Sequence, residues 1–211
     1  MGLSSRVRNW GCVWMVAAGI STVTTSAGAE PRGLYVDLGL GVGVVSGKHT
    51  FDGVTPANVT PAQPVHWETT MKSAAAIGSI MPAYAFDCGL ALGIDLRLGG
   101  HPAFSRDPNI TGGVVMAAMP TVAYRPVSMA EIALGVGTER ETFSGDVEKS
   151  SDATDPLVPV AGAAAVLRAG WTPSWFGVFA EGSYAHLTSS HTSFDPWTAT
   201  LFLRAAVPQT P

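Results

Sequence analysis

Six charged residues carry the strongest chemical signal in this chain: Asp37, Asp95, Arg97, Glu131, Glu181 and Arg204. Each lies in a run of alternating residues, on the parity opposite the large aliphatic side chains, so in an extended strand it points the other way. Charges held away from bulk water must pair and hydrogen-bond, because an isolated buried charge is very costly. The chemistry expected of the six is a salt-bridge network rather than catalysis.

Other groupings are weaker. His191-Thr192-Ser193 places an imidazole two residues from a hydroxyl, with Asp195 nearby as an acidic orienter, the elements of an acyl-chain hydrolase. They fall in a predicted loop tip rather than on a strand face, and no catalytic set is expected. His49, His66, His101, His186 and His191 all fall in or beside predicted outer loops, without a spacing that fixes metal ligands, and read as solvated. Asp146, Glu148, Asp152 and Asp155 could attract Ca²⁺, yet they lack the calcium-loop pattern and read as a solvated acidic face. The run Gly39 to Lys48 has Val42 where a phosphate-binding loop needs glycine, and the dinucleotide spacing fails at Val44. Its glycines read instead as keeping one strand face small. The two cysteines are Cys12, in the amino-terminal segment, and Cys88, in a short turn, so neither a disulfide nor a thiolate cluster is expected. No metal or cofactor is expected, and without a Lys/Arg cluster nucleic acid is excluded as a partner.

Residues 1–29 must be set aside before the positioning elements are read. Arg6 and Arg8 precede an apolar stretch from Val13 to Ile20, and small residues follow, ending Ala27-Gly28-Ala29. This is the pattern of a secretory signal peptide cleaved before Glu30, and it is too short to span a bilayer, which takes about 20 apolar residues. Residues 30–211 then form one domain. A composition of 46% hydrophobic and 13% charged residues, with mean hydropathy +0.25, suits a membrane protein. Yet the best later run, Ser73 to Phe86, contains Pro82 and stops at Asp87. Strands resolve the conflict, since a tilted one crosses in about 9–11 residues and shows lipid only every second side chain.

The alternation is cleanest in four runs. Leu34, Val36, Leu38, Leu40, Val42 and Val44 oppose Tyr35, Asp37 and three glycines; Leu90, Leu92, Ile94, Leu96 and Leu98 oppose Asp95 and Arg97. Ile132, Leu134 and Val136 oppose Glu131 and Glu139, and Trp197, Leu201, Leu203 and Val207 oppose Thr200, Phe202 and Arg204. A fifth run, Trp175 to Leu187, can be phased with Phe176, Val178, Ala180 and Tyr184 on one face and Glu181 and Ser183 on the other. Met71 to Phe86, Gly113 to Arg125 and Leu157 to Trp171 are Ala-rich, with no clear phase, and Pro82, Pro120 and Pro159 weaken them. Tight connections at Phe86–Gly89, Arg125–Ser128 and Thr172–Ser174 alternate with long ones, approximately Gly47–Thr70, Gly100–Gly112, Glu141–Asp155 and Thr188–Pro196. The fold expected is all-β: an eight-stranded antiparallel up-and-down transmembrane β-barrel behind a cleavable signal peptide. Aromatics support it in two girdles, with Tyr35, Tyr84, Phe86, Tyr124, Trp171, Trp175 and Phe176 at the tight-turn end and Trp67, Phe143, Tyr184 and Trp197 at the other.

The opening Gly33-Leu34-Tyr35-Val36-Asp37-Leu38-Gly39-Leu40-Gly41 resembles the first strand of OmpA-like and opacity-type outer-membrane barrels. In architecture the resemblance covers residues 30–211. Such proteins usually finish on an aromatic residue that the barrel-assembly machinery reads, whereas this sequence finishes Val207-Pro208-Gln209-Thr210-Pro211. The resemblance implies a Gram-negative outer-membrane location, with membrane lipids, lipopolysaccharide and the barrel-assembly machinery as partners. The function expected is a non-enzymatic, surface-exposed scaffold with interaction loops and a lumen closed by the six charges. The alternatives are a narrow porin-like channel for small solutes and a lipid-modifying outer-membrane enzyme. A soluble periplasmic barrel would need polar residues where the outer parity carries Leu and Val.

Overall fold

The computed structural model describes residues 33–54, 64–102, 110–127, 129–145, 159–173 and 176–208. The expected signal peptide, Trp175 and the acidic residues 146–155 lie outside them. Eight strands follow in chain order: β1 (Gly33–Val54), β2 (Pro64–Ala85), β3 (Leu90–Pro102), β4 (Ile110–Val127), β5 (Ala130–Gly145), β6 (Val160–Trp171), β7 (Phe176–Thr188) and β8 (Thr192–Pro208). Each pairs antiparallel with the next, and β8 returns to β1 from Tyr35↔Pro208 to Phe51↔Thr192, closing the barrel.

The pleat sorts the side chains as the alternation requires. Leu34, Val42, Leu98, Leu134, Leu167 and Leu201 stand exposed on the outside, while Asp37, Asp95, Glu131, Phe202 and Arg204 are buried within. The Ala-rich strands acquire a phase: Ser79, Met81 and Ala83 of β2, Met119, Thr121 and Ala123 of β4, and Ala164, Val166 and Arg168 of β6 point inward. Pro82, Pro120 and Pro196 are accommodated because each spares one neighbour's ladder. The β2–β3 pairing skips from Ile80↔Leu96 to Ala83↔Gly93, β4–β5 from Ala118↔Thr138 to Thr121↔Gly135, and β7–β8 from Tyr184↔Trp197 to Leu187↔Phe194, all without change of register. Two glycines answer local geometry. Gly89 turns the chain between β2 and β3 with φ +80°, and at Gly41 a Cβ would lie 2.8 Å from the ring of Phe202.

The strands run farther than the sequence reading expects. Most of the stretch assigned to a Gly47–Thr70 loop is hairpin, with β1 and β2 paired as far as Val54↔Pro64. Likewise β5 continues through Glu141 to Gly145, and β7 and β8 are joined across residues 189–191, where the Ser189 amide donates to the Thr192 carbonyl at 2.8 Å. The cause is an inversion of polarity. From Lys48 onward the outward residues of β1 are Lys48, Thr50 and Asp52, and the inward ones are His49 and Phe51. The period of two persists while its chemistry reverses, and polar residues in a strand then pass for loop.

Candidate functional site

The barrel interior is the site the sequence singles out, and all six signalled charges meet there. Arg97 is the hub. Its Nη1 and Nη2 donate to Glu181 at 2.6 and 2.7 Å, a bidentate grip, while Nε and Nη2 donate to Asp95 at 3.1 and 2.8 Å. Ser79 donates to the other Asp95 oxygen at 2.7 Å and accepts from Arg204 Nη2 at 2.6 Å. Arg204 also faces Asp37 at 3.4 Å. Glu131 lies lower in the barrel and receives Arg125 Nε at 3.0 Å.

Arg168 joins the two groups and was missed. It lies 3.6 Å from Asp95 and 3.4 Å from Glu131, and its guanidinium stands 5.4 Å from the ring centre of Phe179. A signal existed: in the run Val160 to Trp171 it is the one charge, and a lone charge among alanines marks the inward parity. Arg125 stands where the expected fourth run meets its turn, but β4 extends past it to Val127. With these two, four carboxylates (Asp37, Asp95, Glu131, Glu181) are connected to four guanidiniums (Arg97, Arg125, Arg168, Arg204), so the cluster balances in formal charge. Arg97 and Arg204 also flank Phe202, at 5.9 and 6.0 Å from its ring centre.

Above this layer a cavity of about 30 Å³ is lined by Arg97, His101, Glu139, Glu141, Ser183 and Thr198, among others. That is room for about one water molecule. His101 Nε2 and Glu141 share a hydrogen bond of 2.6 Å, both side chains being almost wholly buried. Higher still, Phe143, Val160, Leu187 and Phe194 pack as an apolar plug, and the same cluster continues down one wall to Met119, which faces Asp95 in register. His49 is fully buried against it, edge-on to Phe143 and Phe194 at 4.9 and 5.9 Å. At the opposite end Tyr35, Met81, Ala83 and Ala206 form a second apolar layer.

Several expectations are corrected by this arrangement. His49 and His101 are interior residues and not solvated loop histidines, because β1 and β3 continue past the positions where their loops were expected to begin. Glu141 belongs to the lumen rather than to an acidic loop. Tyr35 and Phe143 are buried inside and take no part in the girdles, which Tyr84, Phe86, Tyr124, Trp171 and Phe176 supply at one end and Tyr184 and Trp197 at the other. His66 and His186 lie on outward strand faces. Of the residues weighed as a hydrolytic set, His191 lies in the tip between β7 and β8 as expected, but Ser193 and Asp195 are on β8, and Asp195 is bonded to His186 at 2.6 Å and to the Tyr184 hydroxyl at 3.4 Å. Among the described residues no group of three His, Cys, Asp or Glu is placed to hold a metal ion.

A closed eight-stranded antiparallel barrel with an aliphatic exterior and a charged, filled interior is the class of protein these features define. No protein-family model matches the chain, and no curated protein matches it in sequence. Solved structures do match in shape. Neisserial surface protein A aligns at 10% identity over 84% of this chain and 99% of its own, with a TM-score of 0.51. The attachment invasion locus protein Ail of Yersinia pestis aligns at 12% over 82% and 99%, with a TM-score of 0.42. The outer membrane protein OprG of Pseudomonas aeruginosa gives 11%, 86%, 99% and 0.42. The first of these likenesses is one of fold.

Proposed function

We propose that this chain is an integral outer-membrane β-barrel protein of a Gram-negative bacterium, a surface-exposed scaffold whose lumen is sealed. The observation that carries the reading is the inversion of the ordinary protein plan: aliphatic side chains cover the outside between two aromatic belts, while charges fill the inside. On β8 the outward band from Trp197 to Val207 covers ten residue steps; at about 3.3 Å each and a tilt near 40°, it stands roughly 25 Å tall, the thickness such barrels present to lipid. The N-terminal signal pattern and the first-strand resemblance to OmpA-like and opacity-type barrels support the same location, with residues 1–29 removed and insertion by the barrel-assembly machinery.

Three layers support closure of the lumen. The guanidinium–carboxylate cluster joins β3 to β7 and, through Arg204, to β8, and apolar plugs lie on either side of it. A channel would need those pairs separated, and each separated charge would lie in a narrow, poorly hydrated space. Two measurements test the reading. Outer-membrane fractionation with a heat-modifiable gel shift should identify a membrane barrel, whereas recovery in the periplasmic fraction without detergent refutes it. Planar-bilayer recordings should show no stable conductance; a large, steady one would establish the porin-like alternative.

A further inference from the structure

The cavity above the guanidinium layer is out of balance in charge. Its floor is settled, since Nε, Nη1 and Nη2 of Arg97 are all spent on Asp95 and Glu181. The walls are not. Glu139 and Glu141 both reach it from β5, and the one further ionisable group among the described lining residues, His101, can offset at most one of them. Glu141 takes Nε2 of His101 at 2.6 Å. Glu139 makes no hydrogen bond and no ion pair among the described residues, and its neighbours in register, Ala117 of β4 and Gly162 of β6, offer no side-chain partner.

A second feature is independent of the two acids. The His101 side chain is 2% exposed and lines the same space, and its Nδ1 has no hydrogen-bond partner among the described residues. Nε2 carries the proton that a carboxylate partner requires, so in the neutral ring Nδ1 is a buried lone pair without a donor. Across the cavity the Ser183 and Thr198 hydroxyls face each other in register and share one hydrogen bond, which leaves lone pairs on both oxygens. A carboxylate without a partner, an imidazole nitrogen and two hydroxyl oxygens thus line about 30 Å³, the room of one water molecule.

We propose that this cavity binds one monovalent cation of the size of Na⁺, taken up by the Glu139 carboxylate and the hydroxyl oxygens of Ser183 and Thr198. The volume selects a bare ion over any organic ammonium. Oxygen ligands suit a hard cation, and since no group of three His, Cys, Asp or Glu among the described residues is placed to hold a metal, a transition metal or Ca²⁺ lacks its ligand set. A water molecule would fill the same space but leave a negative charge unbalanced in the interior. Phe143, Val160, Leu187 and Phe194 lie over this layer, so the ion is captured as the barrel closes and leaves slowly. The site depends on the closed barrel and not on where the barrel resides.

The test refolds the protein into phosphatidylcholine nanodiscs in radioactive sodium chloride or in choline chloride of equal ionic strength. After desalting into choline chloride, retained sodium and the midpoint of the heat-modifiable gel shift are read together. The parent should retain about one ion per chain, with a midpoint roughly 5 °C higher after refolding in sodium than in choline. Glu139→Gln keeps the shape without the charge and should retain none, with one midpoint in both salts. Ser183→Ala removes one oxygen ligand and should lose roughly tenfold of the retention, whereas Arg140→Gln, beside Glu139 on the outward face, should match the parent. A folded parent that retains no sodium and whose midpoint ignores the exchange of salts overturns the proposal, as does a folded Glu139→Gln variant that responds to sodium like the parent. A chain that shows no heat-modifiable shift in either salt overturns the barrel reading and the site with it.

Discussion

The lower barrel and the upper reach of β1, β2 and β8 keep the same period of two and use it in opposite ways. Below, Leu201 and Leu203 face out and Phe202 and Arg204 face in; above, Lys48, Thr50 and Asp52 face out and His49, Phe51 and Phe194 face in. The ion pairs divide in the same manner. Arg97–Glu181 is buried with a bidentate fork, and Lys48–Glu68 is a half-exposed pair on the wall. What differs is the solvent outside the wall, and the two regions show that the backbone sets the alternation while the surrounding medium decides which face is apolar.

The largest effect should come from breaking the buried pair. Arg97→Ala leaves Asp95 and Glu181 without their main partner and is expected to cost about 3–5 kcal/mol, read as a shift in the urea midpoint of the vesicle-inserted protein. Arg97→Lys keeps a charge but not the fork and should lose less; a parent-like midpoint for the alanine variant would show that the network contributes nothing. Next comes the outer face. Leu201→Arg, near mid-membrane, should cost about 2–4 kcal/mol, whereas Thr50→Arg on the same side of the sheet but above the belt should cost about 0–1. Equal costs at the two positions would erase the proposed boundary between lipid and water. Smallest of all, Lys48→Gln should lower stability by about 0.2–1 kcal/mol, an effect that fades in 1 M salt. A larger, salt-resistant loss would mean the wall pair is held as tightly as the lumen pair.

The strands with large aliphatics on one parity were legible from sequence, because there two chemistries alternate visibly. That is why Asp37, Asp95, Arg97, Glu131, Glu181 and Arg204 could be singled out before their contacts were known. In β6 the alternation is blurred by alanines on both faces, Ala163 and Ala165 outside and Ala164 inside, so the lone charge of Arg168 was itself the one mark of the inward parity. The upper strands failed for a different reason. Alternation with polar residues outside is what a loop rich in Thr, Asp and Lys also looks like, so His49 and His101 read as solvated, Glu141 as the start of a loop and Phe143 as a girdle aromatic, when all four fill the lumen. The salt bridges themselves depend on a closed cylinder that brings β3 against β7, a relation no local pattern encodes.

Closure by β1 against β8 has a kinetic consequence. The partners Tyr35 and Pro208 come from the first and last strands, so the ring can be completed only after the final strand is delivered. Until then the intermediate carries two adhesive margins, each offering unpaired amides and carbonyls to any neighbouring chain. Assembly of this protein is therefore most vulnerable at its last step, and escort is needed longest by the strand made first.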